Sequence, residues 1–149
     1  MNSVTQPAPS LLYLMKQLEL AVRSGLDDIV RPDGLTAQQY TALTVLERHS
    51  GISSAQLARH SFVTAQSMAD MVGTLLSSGL IERHRDTADR RKLVLTLTAE
   101  GQSLLDRYRH EVDALEARML AGLERQEAAA LRRMLLTCRA NLASPSSFG

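Results

Sequence analysis

Apolar residues step by three and four from Leu11 through Leu14, Leu18, Val22 and Leu26 to Ile29, the period of one helix face. Ser10 precedes the run as a cap. RPDG at 31–34 closes it, because Pro32 disfavours helical geometry at Arg31 and Gly34 supplies a turn. Thr36-x-x-Gln39 and Ser53-x-x-Gln56 both have the form of a capping box, in which a hydroxyl and a side-chain amide satisfy free amides of a first helical turn. The first box opens a helix carrying Tyr40, Leu43, Val45 and Leu46 that ends near Ser50–Gly51, and the second opens a short helix from Ser54 to His60. Thr64 is a third cap, for a helix that runs to about Ser78 with Gly79 as its terminator. Three capped helices in close succession, the last two joined by a three- or four-residue turn, have helix-turn-helix spacing.

The period then changes to two. Ile81–Arg85 and Lys92–Thr98, with Leu93, Leu95 and Leu97 in strict alternation, predict a two-stranded hairpin around a charged loop. Thr98 caps a long helix, about Ala99 to Ala121, with Leu104, Tyr108, Val112, Leu115 and Met119 along one stripe. Gly122 interrupts it, and a last helix from about Gln126 to Leu142 repeats the pattern with Leu131, Leu135, Cys138 and Leu142. The expected fold class is mainly α with a small β-hairpin wing. A winged helix-turn-helix domain spans 35–98, a helical dimerisation region is made of 10–31 and 99–143, and disordered tails occupy 1–9 and 144–149.

The long helix is the reason to expect a dimer. At ~1.5 Å per residue it would reach about 33 Å, more than a compact winged helix can cover. Its stripe needs a partner, most economically the same stripe of a second copy, although folding back on the first helix would also serve.

Composition narrows the class. With 149 residues, 44% of them apolar and 22% charged, the chain suits one cored domain with extra helices, and no apolar run approaches the ~18 residues of a membrane span. MNSVTQPAPS lacks a basic signal-peptide region, and the single cysteine suits a reducing compartment, so a cytoplasmic protein is expected. No Gly-rich phosphate loop, GxSxG elbow or CxxC occurs. His49, His60, His84 and His110 have no ligand spacing, and HEVDA at 110–114 has Ala where a zinc-binding helix needs its second His. No enzyme, metal or other cofactor is expected. Cys138, on an apolar stripe, reads as a small buried hydrophobe.

A net charge of +1 speaks weakly against nucleic acid, but the average hides a concentration. Residues 81–92, IERHRDTADRRK, hold five Arg or Lys against three acids, and removing them from the chain's 17 basic and 16 acidic residues leaves 12 against 13. All the excess positive charge therefore sits in the hairpin. On the helix from Thr64, Ala65, Met68, Ala69, Val72, Leu75 and Leu76 form the expected buried stripe, and Gln66, Ser67, Asp70, Thr74 and Ser77 gather opposite. That outer face lacks Lys and Glu. Its short polar side chains suit a major groove, where Gln pairs with adenine and Ser donates or accepts, while first-turn amides hold a phosphate. Arg90 and Arg91 suit the flanking minor groove, Arg83, Arg85 and Lys92 suit phosphates, and Asp89 is expected to hold a neighbouring guanidinium extended. A solvated helix face and a merely soluble hairpin are the plain alternatives.

TAQQYTALTVL (36–46), SSAQLARHSFVTAQSMADMVGTLLSSGLIERHRD (53–86) and DTADRRKLVLTLTAEG (86–101) together resemble the MarR family of bacterial transcriptional regulators. On that resemblance Asp89 and Arg91 take the Asp and Arg places of the wing signature, and Leu97–Thr98 its Leu-Thr pair. The resemblance implies a homodimer of winged-helix protomers, joined by first and last helices, that binds an inverted-repeat operator in double-stranded DNA. Such a protein usually represses nearby genes until a small ligand or oxidant releases it. The implied ligand is a small aromatic or lipophilic anion, held where the dimer helices meet the winged domain, and Tyr13, Met15, Arg23, Tyr40 and Tyr108 are the candidates to reach it. Asp70 departs from the pattern: an acid on the groove face repels phosphates, so affinity should lean more on the wing. The competing class is a winged-helix protein-interaction module that does not touch DNA.

Overall fold

The computed structural model describes residues 6–143; residues 1–5 of the predicted amino-terminal tail and the whole predicted carboxy-terminal tail, 144–149, lie outside the described residues. Helix α1 (Leu11–Val30) starts at Ser10, whose hydroxyl accepts the Tyr13 amide at 3.1 Å. A 3-10 turn over Arg31–Asp33 follows, ended by Gly34 in the left-handed region. Helices α2 (Ala37–Arg48) and α3 (Ser54–Ser61) both begin with the capping boxes read from the sequence. Thr64 caps α4 (Ala65–Ser77) by accepting the Ser67 amide. The turn between α3 and α4 is Phe62-Val63-Thr64. Within it Phe62 stands at φ 58, the one non-glycine residue with positive φ among those described.

Strands β1 (Ile81–Arg85) and β2 (Leu93–Leu97) pair antiparallel with Ile81 opposite Leu97 and Arg85 opposite Leu93. A third edge was not legible in the sequence. Ile52, between α2 and α3, bridges Leu95 from the far side of β2, with the Leu95 amide donating to the Ile52 carbonyl at 2.8 Å and the Gly51 amide to the Leu95 carbonyl at 3.0 Å. One residue is too short for a period to show. The consequence is mechanical, because the wing is hydrogen-bonded to the start of the helix-turn-helix as well as continuous with α4.

The core lies where these elements converge. Val30 of α1, Leu43 and Leu46 of α2, Leu57 of α3, Met68, Val72 and Leu75 of α4, Leu95 of β2 and Leu105 of α5 are all essentially inaccessible. Fully burying one such side chain contributes about 1.5–3 kcal/mol, so the cluster is what fixes α4 against its neighbours. A polar tie adds to it: Glu47 of α2 accepts from Gln102 at 2.7 Å and from Arg109 at 2.8 Å. Those bonds hold the Glu47 carboxyl below its ordinary range, the Gln102 bond first.

Helices α5 (Ala99–Met119) and α6 (Arg125–Leu142) differ in how they are covered. The first half of α5 enters the core through Leu104, Leu105 and Tyr108, and its second half runs out beside α1, where Gly25 lets Leu115 approach closely. α6 buries no residue against its own chain. Cys138 is therefore exposed in this chain instead of buried as expected, because its stripe is uncovered beyond the half-buried Leu131. Leu12 is 72% and Leu142 84% exposed. An open apolar groove of about 460 Å³ runs between α1 and α5, floored by Leu18, Val22, Leu26, Val112, Leu115 and Met119.

Thr98 and Gly101 join the wing to α5. The Gly101 amide donates to the Thr98 hydroxyl at 3.1 Å, and a Cβ on Gly101 would lie 2.2 Å from the Leu80 carbonyl oxygen. Backbone cannot yield to such an overlap as a flexible side chain can. Gly101→Ala is expected to destabilise the protein by about 3 kcal/mol, read as a lower denaturation midpoint at unchanged m-value. Wild-type stability in that variant would show that the junction can open freely.

Candidate nucleic-acid interface

α4 packs on α3 and on the first strand, and its buried arc is Met68, Val72 and Leu75, with Met71 and Leu76 half-covered. This corrects the sequence reading, which placed Ala65 and Ala69 inside and left Met71 out. Both alanines are exposed. Met71 packs against the core in their place, and Ala65 lies in the first turn, beyond the core's edge. The outward surface consequently gains two small apolar side chains among Gln66, Ser67, Asp70, Thr74 and Ser77, all exposed.

Hydrogen bonding divides these groups by what they still offer. The Thr64 hydroxyl accepts the Ser67 amide and donates to Ser67 Oγ at 3.0 Å, so it is spent as a cap. Ser67 keeps its own hydroxyl proton for an outside acceptor. Thr74 donates to the Asp70 carbonyl at 3.2 Å and Ser77 to the Gly73 carbonyl at 3.0 Å, which leaves both able to accept only. Gln66 makes no side-chain hydrogen bond among the described residues, so its amide retains both donor and acceptor. The most available polar chemistry on α4 therefore lies in its first turn.

The wing places its charges similarly. Arg83 and Arg85 share a hairpin face with Leu95 and Leu93, beyond the point where that face enters the core. Arg85 donates to the Arg90 carbonyl at 2.9 Å and so ties the loop tip to its stem. Asp89 does not reach for a guanidinium as expected. Its carboxylate accepts the Arg91 amide at 3.1 Å while its carbonyl accepts the Lys92 amide at 3.0 Å, a local turn. Sequence distance favours this: a short Asp side chain finds an amide two residues on more readily than a mobile guanidinium. None of Arg83, Arg85, Arg90, Arg91 and Lys92 is ion-paired among the described residues, and His84 faces Glu82 at 3.2 Å and Thr96 at 3.1 Å.

The five expected ligand-pocket residues are not brought together within a protomer. Tyr13 and Met15 are exposed near the start of α1, and Arg23, a few turns on, grips Glu19 with both prongs. Tyr40 and Tyr108 are buried. The Tyr108 hydroxyl donates to Asp33, whose carboxylate also faces Arg107 at 3.6 Å. Asp33 and Arg107 in turn line a polar groove of about 490 Å³ between α2, the end of α4 and α5, with Gln39, Thr74, Ser78 and Ser103 around an apolar floor of Leu35, Leu80 and Leu104. In the sequence Asp33 shows only as part of a helix stop, since nothing local ties it to Tyr108.

A three-helix core with a tight helix-turn-helix and a two-stranded arginine-bearing wing defines a winged helix-turn-helix protein. Comparison with known proteins agrees. The MarR family pattern matches residues 33–92. Rv2887, an HTH-type transcriptional repressor of Mycobacterium tuberculosis, is 35% identical over 123 residues, 83% of this chain and 88% of that protein. The solved structure of Rv2887 with p-aminosalicylic acid matches with TM-score 0.71 at 33% identity, covering 87% of this chain and 98% of that one. The repressor CouR bound to a 23-mer DNA duplex matches with TM-score 0.75 at 30% identity, covering 87% and 92%. This chain belongs to the MarR family of transcriptional regulators, which are not enzymes. Among the described residues no helix is long and apolar enough to cross a membrane.

Burial first, and the Asp33 carboxylate second, push the Tyr108 phenol up to about 12 from 10.0. The folded chain thus holds this proton more tightly than the unfolded chain, a contribution fully present below pH 10.0 and lost as pH rises towards about 12. Denaturation measured across that window should show a steeper alkaline loss of stability in wild type than in Tyr108→Phe. Equal slopes would mean that Tyr108 titrates as a free phenol.

Proposed function

We propose that the protein is a dimeric, sequence-specific repressor of transcription that binds double-stranded DNA. The observation that carries this reading is the juxtaposition of an α4 first turn with free polar groups and five wing cations unpaired by any acid among the described residues. In it, Gln66 and Ser67 read base edges in the major groove, with Thr64 holding the turn in shape. Asp70 and Thr74 border the groove as acceptors, Asp70 opposing phosphates or taking a cytosine amino proton. Arg90 and Arg91, on a loop shaped by Asp89, enter the flanking minor groove, and Arg83, Arg85 and Lys92 meet phosphates. The duplex bound to CouR, a relative of the same fold, supports the same mode here.

Dimerisation follows from the uncovered stripes of α1, α5 and α6, which a second copy would bury. Two-fold symmetry then asks for an inverted repeat with half-site centres about 10 bp apart. Release by a small aromatic acid is supported by Rv2887, whose solved structures hold p-aminosalicylic and salicylic acid. Here the polar groove at Arg107 suits such an anion: a carboxylate would compete with Asp33 for the guanidinium, beside Thr74 and Ser78 at the end of α4. Tyr13 and Met15 would then serve the partner protomer's face. A cytoplasmic location accords with a DNA partner.

Gel shift with the DNA flanking the protein's own gene tests the reading, since a module that binds only protein leaves every duplex free at low salt. With a bound site in hand, Arg91→Ala is expected to weaken binding and to lower the slope of log K against log salt by about one unit. An unchanged slope removes Arg91 from the contacts. Leu18→Glu, in the α1–α5 groove, should turn the dimer into a monomer by sedimentation and abolish tight operator binding; a dimer that persists places the interface elsewhere.

A further inference from the structure

Between residues 35 and 98 only two large apolar side chains remain in solvent, Leu93 at 45% and Phe62 at 73%. Leu93 continues the inward face of β2 past the core, and the strand period explains it. Phe62 continues no stripe. It occupies a left-handed backbone, the conformation glycine adopts without strain and a bulky residue resists. The helix-turn-helix therefore carries an exposed ring in a strained position where a smaller residue would fold more readily. Strain kept at a surface position points to use.

The surroundings say what kind. Phe62 lies two residues before the α4 cap, at the end whose first turn is free to meet a ligand. Its exposed neighbours are Arg59 and His60 on one side and Thr64, Ala65 and Gln66 on the other. Arg59 has no ion-pair partner among the described residues. His60 stacks on His49 at 4.6 Å. A lone ring beside one guanidinium, an imidazole and a side-chain amide is too small and too polar in setting for a protein interface, which needs a contiguous patch. A duplex presents the complement, isolated apolar spots (thymine methyls and deoxyribose faces) set between phosphates.

We infer that Phe62 is a DNA-contact residue of this protein, packing its ring on the apolar edge of the major groove beside the α4 amino terminus while Arg83, Arg85 and Lys92 take the phosphates. The inference rests on the DNA-binding reading above and names a contact that reading did not include. It also predicts a trade: removing the ring relieves the backbone and loosens the complex.

The test compares Phe62→Asn and Phe62→Gly, which accept the left-handed backbone, with Phe62→Tyr, which keeps a ring. Asn and Gly are expected to raise the unfolding midpoint by a few degrees and weaken operator binding about tenfold, with the salt slope unchanged because no charge is lost. Tyr should keep wild-type affinity. Replacing single thymidines of the half-site by deoxyuridine separates the two apolar sources. A penalty at one position in wild type that vanishes in Phe62→Asn identifies a methyl, and a ring-dependent affinity with no such position identifies a sugar. Asn and Gly variants that bind as tightly as wild type overturn the inference while leaving the DNA-binding reading standing. A wild type that binds no duplex overturns both.

Discussion

The Thr98 hydroxyl lies where α4, the wing and α5 meet. It donates to the Gly79 carbonyl at 2.6 Å and accepts the Gly101 amide at 3.1 Å, while the Thr98 amide donates to the Leu80 carbonyl at 3.1 Å. These bonds settle the terminator of α4, the closing end of β2 and the first turn of α5 together, in a space that leaves no room for a Cβ on Gly101. An orphan amide at a helix start costs stability if buried unpaired, so the junction has one good arrangement. The angle between α4 and the wing, and the direction in which α5 leaves, both follow from it. The outer face of α4 and the uncovered stripe of α5 are thereby held in one rigid relation.

Charge is distributed to suit that frame. Acids are spent inside the chain: Glu47 and Asp106 on Gln102 and Arg109, Asp33 on Tyr108 and Arg107, Glu19 on Arg23. The wing cations have no such partners among the described residues, and its two loop acids instead shape backbone, Asp86 accepting the Ala88 amide and Asp89 the Arg91 amide. A chain with net charge of only +1 can in this way present a strongly positive edge. The same division operates on α4, where hydroxyls of the last turns are turned back on the helix while Ser67 in the first turn keeps its proton and Gln66 its whole amide.

The chain also leaves long apolar helix faces uncovered. Winged-helix burial is thorough, yet α6 fully buries none of its residues and the amino-terminal half of α1 lies in solvent with its leucines. Helices of this length are not kept apolar along one side for solubility. The polar groove at Arg107 touches α2, α4 and α5 together, so it adjoins both the helix that faces outward and the helix that leads to the uncovered region.

Most of the fold could be read in the chain because it is written locally. Ser10, Thr36, Ser53, Thr64 and Thr98 each cap their helix within three residues, and Gly34 and Gly79 terminate theirs. The change of period at Ile81 marked the wing, and the wing signature pointed to the family. What the tertiary structure alone decided involves partners distant in sequence or a rotation too fine for periodicity. Ile52 joins the sheet across more than forty residues, Asp33 finds Tyr108 across 75, and α4 turns far enough to expose Ala65 and Ala69 and half-bury Met71. Asp89 chose a near amide over a guanidinium, and Phe62 took a left-handed backbone that no pattern announces. Caps and periods are set by neighbours a few residues away, whereas the orientation of a face and the pairing of a buried polar group are set by whatever the rest of the chain packs against them.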